Sequence, residues 1–231
     1  MVNLLEAVIG WVAPPQCISC GVEGTALCAA CSTAEIIPYG ERCWSCGAAS
    51  QLGRTCPSCR KSAPRYVWIS TSYEDTAKKL INVYKFSGRR VAGSSLAQVM
   101  SQTLGDFLTQ AELTKLNYLI IPIPTATSRQ RQRGFDHGKL LAKFLSRQTG
   151  LKTIDALGRL GQTRQLGARR DVRLKQAEGK YYVRLPYLIK GRNILLVDDV
   201  VTTGATLRGA TKTLRQAGTR RVDALIFAKR L

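Results

Sequence analysis

Two adjacent carboxylates, Asp198 and Asp199, are followed at once by hydroxyls and a glycine, the stretch 198–206 reading DDVVTTGAT. Thr202, Thr203, Gly204, Ala205 and Thr206 offer hydroxyls and backbone N–H groups, and a helix expected to begin at Thr206 adds the positive end of its dipole. Such a turn makes a cradle for phosphate. Carboxylates beside a bound phosphate are repulsive, so the pair needs a task of its own. Binding the vicinal hydroxyls of a ribose, directly or through Mg²⁺, supplies one, and the ligand implied is a sugar phosphate. The plainer reading is a buried strand followed by a capped helix, with one aspartate satisfying backbone donors. Two neighbouring carboxylates are a costly way to cap one helix.

A second chemistry belongs to the cysteines. All eight lie between Cys17 and Cys59, as four C-x-x-C pairs: Cys17/Cys20, Cys28/Cys31, Cys43/Cys46 and Cys56/Cys59. A C-x-x-C turn aims two thiolates at one point, and two turns complete a tetrahedral four-cysteine zinc site. Gly21 and Gly47 follow the second cysteine of two pairs, where a knuckle turn needs a positive φ. The simplest grouping puts Cys17, Cys20, Cys28 and Cys31 on one zinc and Cys43, Cys46, Cys56 and Cys59 on another, about two structural zincs in all; an interleaved grouping is open at this stage. Four disulfides would require an oxidising compartment. Redox C-x-x-C chemistry normally uses one such motif beside a βαβ unit.

These groups need elements to carry them. Buried strands are expected at 66–72, 118–123, 193–197 and 222–227, and helices at 74–86, 96–108, 136–148 and 206–216, with Gly218 ending the last. Shorter candidate strands lie at 156–160 and 181–185. Strands alternating with helices predict an α/β fold with a parallel sheet, and ligands in such sheets sit at the carboxyl ends of the strands. The run Ile121, Pro122, Ile123, Pro124, Thr125 ends one strand there. Arg129, Arg131, Arg133 and Gly134 come next, a donor-rich turn suited to a pyrophosphate with Mg²⁺.

The chain has 231 residues, 35 Lys+Arg against 15 Asp+Glu, a formal charge of +20, and 45% hydrophobic residues. That apolar share supports a packed core and argues against a wholly disordered chain. No apolar run approaches the roughly 20 residues of a membrane span. The amino-terminal stretch 1–16 lacks a basic start and is interrupted by Glu6, so it does not read as a secretion signal. Leu4, Leu5, Val8, Ile9 and Val12 suit a short amphipathic helix. A cytoplasmic location is the expectation.

Charge divides the chain as sharply as cysteine does. Residues 1–64 hold four basic and four acidic residues, so 65–231 carries the whole excess. Two modules are therefore expected, 1–64 with the cysteines and 65–231 with the acid pair. Residues 128–184 alone have 15 basic against four acidic residues. Arg164, Arg169, Arg170 and Arg173 fall there. Lys78, Lys79, Lys85, Arg89, Arg90, Arg220 and Arg221 lie outside that region and exceed what one small anion needs. A second polyanion such as single-stranded DNA would account for them, with Phe135, Phe144, Tyr181 and Tyr182 available for stacking. A merely solvated basic surface is the plainer alternative.

The stretch 194–207 (ILLVDDVVTTGATL) resembles the signature of the type I phosphoribosyltransferases. That resemblance implies that Asp198 and Asp199 hold the ribose hydroxyls of phosphoribosyl pyrophosphate (PRPP). It further implies that Thr202, Thr203, Gly204, Ala205 and Thr206 enclose the 5′-phosphate, with Pro124, Thr125 and Arg133 on the upstream side. The paired knuckles, IPIP, RQRGFDH and VDDVVTTGATL occur in this order with Gln165 and Arg169-Arg170 between them, and together are similar to the ComF family, competence-associated phosphoribosyltransferase-like proteins. The implied fold is a helix-flanked parallel sheet with a small amino-terminal zinc-ribbon module. The implied function is PRPP binding in DNA uptake during natural transformation, with single-stranded DNA and DNA-translocation proteins as partners and Mg²⁺ accompanying PRPP. A conventional Mg²⁺-PRPP-dependent phosphoribosyltransferase with an unknown acceptor is the other reading. The family commonly has Arg-Gly-Phe-Asn-Gln where this chain has Arg133-Gly134-Phe135-Asp136-His137. Asp136 still suits a helix cap, and His137, the single histidine, reads as a helix-surface or capping residue rather than an acid or base.

Overall fold

The computed structural model describes residues 14–86, 91–125, 134–160 and 181–230. The helix expected within 1–12 and residues Arg89, Arg90, Arg129, Arg131, Arg133, Arg164, Arg169, Arg170 and Arg173 lie outside them.

The expected parallel sheet is present. Its strands are β1 (Val67–Ser72), β2 (Leu119–Pro122), β3 (Lys152–Thr153), β6 (Asn193–Val201) and β7 (Arg221–Lys229), in the spatial order β1-β7-β6-β2-β3. Every pairing is parallel. The candidate strands at 156–160 and 181–185 form a separate antiparallel pair, β4 (Leu157–Arg159) with β5 (Tyr181–Val183).

Central parallel strands are covered on both faces, so they read as unbroken apolar runs. In β6 the residues from Ile194 to Val197 are fully buried, and the pleat sends alternate side chains to opposite faces. Leu195 and Val197 join the cluster made with α3 (Asp75–Phe86), α4 (Val91–Phe107) and α6 (His137–Thr149). Ile194 and Leu196 join the opposite cluster, built against α7 (Pro186–Ile189) and α8 (Ala205–Gln216). β6 runs through both aspartates to Val201, four residues beyond the end expected from its apolar run, because its backbone still pairs with β7 up to Lys229. Helix α4 likewise begins at Val91, not 96, since Ala92 and Gly93 are buried as well.

Four short helices are not legible in the sequence: α1 (Ala29–Glu35), α2 (Pro57–Arg60), α5 (Gln110–Leu116) and α7. α5 is only seven residues long and buries one side chain, Leu113. A capping box holds it: Thr109 Oγ1 accepts from the Glu112 N–H at 3.3 Å, and Glu112 accepts from the Thr109 N–H at 2.8 Å.

The cysteine segment contains α1 (Ala29–Glu35) and α2 (Pro57–Arg60). It lies along the outer edge of the sheet, touching β1 through bridges Pro38 to Thr71 and Arg54 to Tyr66. Its apolar residues divide between the two faces. Cys17, Ala26 and Leu27 enter the α3–α4 cluster, while Cys43, Trp44 and Ala63 enter the α8 cluster. An edge strand that would otherwise offer unpaired backbone groups is thereby covered.

Asp223, fully buried in β7, anchors the amino-terminal end of the sheet. It accepts from the Tyr66 N–H at 2.9 Å, from the Tyr118 hydroxyl and from Arg221 Nε. Burial pushes its carboxyl above the usual range, and these donors work against that rise. Arg221 also lies over the Tyr66 and Tyr118 rings. It is therefore a structural residue, contrary to its reading as surplus charge for a polyanion.

Candidate functional site

The carboxyl ends of β6 and β2 open on a cavity of 370 Å³. Asp198, Asp199, Thr202 and Thr206 line it from β6 and the following turn, and Pro124 and Thr125 line it from the end of β2. The pairing of Pro122 with Val197, and the Ile123 N–H donating to Val197 O at 3.0 Å, set the two turns side by side. A second, smaller hollow is formed by the turn itself, with Thr203, Gly204 and Ala205 on its wall.

The turn is shaped as a phosphate cradle should be. Gly204, at φ 73°, caps α8 without a side chain, and the Ala205 N–H that opens the helix donates to Thr203 Oγ1 at 3.5 Å. Lys229 Nζ fixes the entry to the turn, donating to Thr202 O at 2.7 Å.

Acid and base face each other in the cavity. The Asp199 carboxylate meets Lys85 Nζ at 2.8 Å, and Asp198 accepts from the Asp199 N–H at 3.0 Å. Burial, and then the neighbouring Asp199 charge, push the Asp198 carboxyl up to about 8, with Lys85 opposing the rise. Arg159, at the end of β4, and Arg230, after β7 and over the Tyr73 ring, complete a positive wall. The arrangement can hold an anion on one side and hydroxyl groups or a divalent cation on the other.

The structure thus brings Asp198, Asp199, Thr202, Thr206, Pro124 and Thr125 into one cavity, with Thr203, Gly204 and Ala205 alongside. Lys85, Arg159, Arg230 and Tyr73 are site residues that the sequence reading did not place here. In the sequence Lys85 reads as part of the surplus charge. Its signal was weak, because a lysine near the end of an amphipathic helix looks like any solvated one. His137 does not occupy the helix surface that its sequence position suggests. It is the first residue of α6 and 2% exposed. Its ring stacks on Phe135 at 4.2 Å, meets Tyr84 edge-on at 5.1 Å and lines the cavity. Asp136 does cap α6, accepting from the Lys139 N–H at 3.2 Å. Of the aromatic residues named for stacking, Phe135 packs on His137, Tyr181 is buried and Phe144 packs against the α3–α4 core, while Tyr182 is half-buried with its ring beside Gly158.

Both cysteine tetrads are formed with sequential grouping. Within each, the four sulfurs lie within 4.8 Å of one another: Cys17, Cys20, Cys28 and Cys31 in one, Cys43, Cys46, Cys56 and Cys59 in the other. Cys20 and Cys28 sulfurs are 3.7 Å apart, and those of Cys46 and Cys56 are 3.6 Å apart. A tetrahedron with zinc–sulfur arms of about 2.3 Å has edges of about 3.8 Å, so the donor set fits zinc. None of the eight cysteines is in a disulfide, so the disulfide reading falls. Gly21 at φ 78° and Gly47 at φ 76° make the two knuckle turns as expected. The same backbone geometry recurs in both: Gly21 N–H donates to Cys17 O and Gly47 N–H to Cys43 O, each at 2.9 Å.

Comparison with known proteins agrees with this architecture. A model of the phosphoribosyl transferase domain matches residues 137–231. Competence protein F of Haemophilus influenzae is 30% identical over 229 residues, 93% of this chain and 96% of that protein. Competence protein ComFC of Streptococcus pneumoniae is 27% identical over 90% of this chain and 89% of its own length. DNA utilization protein YhgH of Escherichia coli K12 is 28% identical over 89% of this chain and 91% of its own length. Similarity to Competence protein F across almost the whole of both sequences, on a parallel α/β sheet with paired cysteine tetrads at one edge, makes this chain a member of the ComF family.

Proposed function

We propose that this chain binds PRPP with Mg²⁺ in the cavity at the carboxyl ends of β6 and β2, and that it acts on incoming single-stranded DNA in DNA uptake. One observation carries the PRPP reading: the acid pair Asp198–Asp199 and the hydroxyl-rich, side-chain-free cap at Gly204 share one site, walled by Lys85, Arg159 and Arg230. Asp198 and Asp199 bind the vicinal ribose hydroxyls. The turn from Thr202 to Thr206 takes the 5′-phosphate. Pro124 and Thr125, with Arg133, take the pyrophosphate side. Mg²⁺, when bound, neutralises charge on the pyrophosphate. Lys85 must give up part of its contact with Asp199 as the ribose enters.

The two tetrads hold structural zinc. Four thiolates leave no open position for catalysis, and the metal stabilises a segment too small to fold on a core of its own. We read 1–64 as the zinc module and 65–231 as the phosphoribosyltransferase-like domain. The role in DNA uptake is supported by relatives named competence proteins and a DNA utilization protein. The basic excess supports a nucleic-acid partner, with Arg164, Arg169, Arg170 and Arg173 as the phosphate contacts. DNA-translocation proteins in the cytoplasm are the companions that this role implies. Among the described residues no helix is long and apolar enough to cross a membrane.

A second reading is favoured by the complete acid pair and cradle: turnover, in which the ribose C1–pyrophosphate bond breaks with its electrons on the departing pyrophosphate. A nitrogen nucleophile then bonds to C1 and loses its proton to solvent. Positioning and charge stabilisation suffice for such a step. Pyrophosphate release from PRPP, assayed with nucleobases and with single-stranded DNA as acceptors, separates binding from turnover. The Asp198→Ala, Asp199→Ala double variant is expected to lose Mg²⁺-PRPP binding in calorimetry while keeping DNA binding. Unchanged PRPP affinity would sink the site assignment.

A further inference from the structure

The second cysteine tetrad does more than border the phosphate turn; its knuckle is in contact with it. Trp44, between Cys43 and Cys46, is 3% exposed and stands against Gly204, so that a Cβ built on that glycine would overlap the indole ring. The ring is held on two further sides. Its Nε1 donates to the buried Thr55 Oγ1 at 3.0 Å, and the Arg208 guanidinium lies 5.4 Å from the ring centroid. Arg208 then ties the two segments together. Nη1 donates to Ser45 Oγ, inside the knuckle, at 3.0 Å, and Nη2 donates to Thr203 O, inside the phosphate turn. Cys43, fully buried, packs in the same cluster as Leu207, the third residue of α8.

We infer that Trp44 and Arg208 are positioning residues for the phosphate turn, and that metal occupancy of the Cys43–Cys46–Cys56–Cys59 tetrad and PRPP binding are thermodynamically coupled. Gly204 needs φ 73° to present the α8 N–H groups, and a glycine left to itself samples many conformations. Trp44 fills the space beside it and removes those alternatives, but only while the knuckle holds its shape, which the metal fixes. Coupling of this kind is reciprocal: if metal in this tetrad tightens PRPP binding, PRPP must tighten the metal by the same factor. The first tetrad packs against the α3–α4 face and has no such contact among the described residues.

This inference rests on the PRPP reading, and the test separates the two. Zinc release from the full-length protein is followed with a chromogenic chelator, with and without Mg²⁺-PRPP, beside calorimetric PRPP affinity. The expected result is that PRPP slows one of the two release phases by about tenfold and leaves the other unchanged. Arg208→Ala is expected to weaken PRPP binding about fivefold and to abolish that protection. Trp44→Phe, which keeps an aromatic ring against Gly204, retains most of both. Absence of PRPP binding to the unaltered protein overturns the PRPP reading and this coupling with it. PRPP that binds normally while both zinc phases release at unchanged rates overturns the coupling alone. So does an Arg208→Ala protein in which PRPP still protects one zinc.

Discussion

Asp198 is where the chemistry of the site and the stability of the fold oppose each other. An aspartate in an unfolded chain titrates near about 3.9, whereas burial and Asp199 raise this one to about 8. Between those values the folded state carries the extra proton. Stability therefore falls as pH rises through that window, and the whole contribution is lost above it. Asp198→Asn removes the titration. Scanning calorimetry should show a Tm about 2–4 °C higher than the unaltered protein at pH 8 and little difference near pH 4. Identical pH slopes for the two proteins would count against a raised Asp198. Lys85 teaches a complementary lesson. Its charge was visible in the sequence, but not its purpose, because the 2.8 Å approach to Asp199 joins a helix end to a strand end more than a hundred residues away.

At the scale of elements, legibility followed burial. β6 and β7, apolar throughout their centres, were read correctly in type, while their ends extend further because backbone pairing continues after the apolar run stops. α5 escaped because seven residues with one buried leucine carry no usable period, although the Thr109 to Glu112 spacing of a capping box was present. The Asp223 hub was invisible for another reason: its partners come from Tyr66, Tyr118 and Arg221, which only the sheet order brings together. It joins the starts of β1, β2 and β7. Asp223→Ala leaves the Tyr118 hydroxyl and the Arg221 guanidinium without their shared acceptor, and a loss of about 3–5 kcal/mol is expected. Urea unfolding measures it directly, and a loss under about 1 kcal/mol would show that the network is dispensable.

The whole molecule is held at its sheet edge by the cysteine segment. One tetrad sits toward each face, so metal held there would support both clusters of the core at once. Elemental analysis should find about two zincs per chain. Stripping them with a strong chelator should lower Tm by at least about 10 °C, since structural zinc contributes folding energy outright. Metal-free protein of unchanged Tm would refute a structural role. The charge excess belongs to this scale as well. If about five phosphates of single-stranded DNA are neutralised, affinity should drop about 100-fold between 50 and 200 mM salt. An affinity that ignores salt would remove the DNA proposal. The mapped charge makes that proposal narrower than +20 suggests, since Lys85, Arg159, Arg221 and Arg230 already have work within the fold.

The parallel α/β class, the order of the main elements, the acid pair with the hydroxyl-rich turn after it and the four thiol pairs were all determined by the sequence alone. Each is a local pattern: a period of apolar residues, a spacing of two cysteines, a run of hydroxyls after two carboxylates. Which thiol pairs converge, which cations face the acids, and where the single histidine lies were decided only by tertiary structure. These are distances between segments remote in sequence, set by sheet order and by which face of each strand a side chain leaves. The contact between Trp44 and Gly204 is the clearest case, for the tryptophan has no local reason to be where it is and the glycine has two: a positive φ, and a ring already occupying the place of its missing side chain.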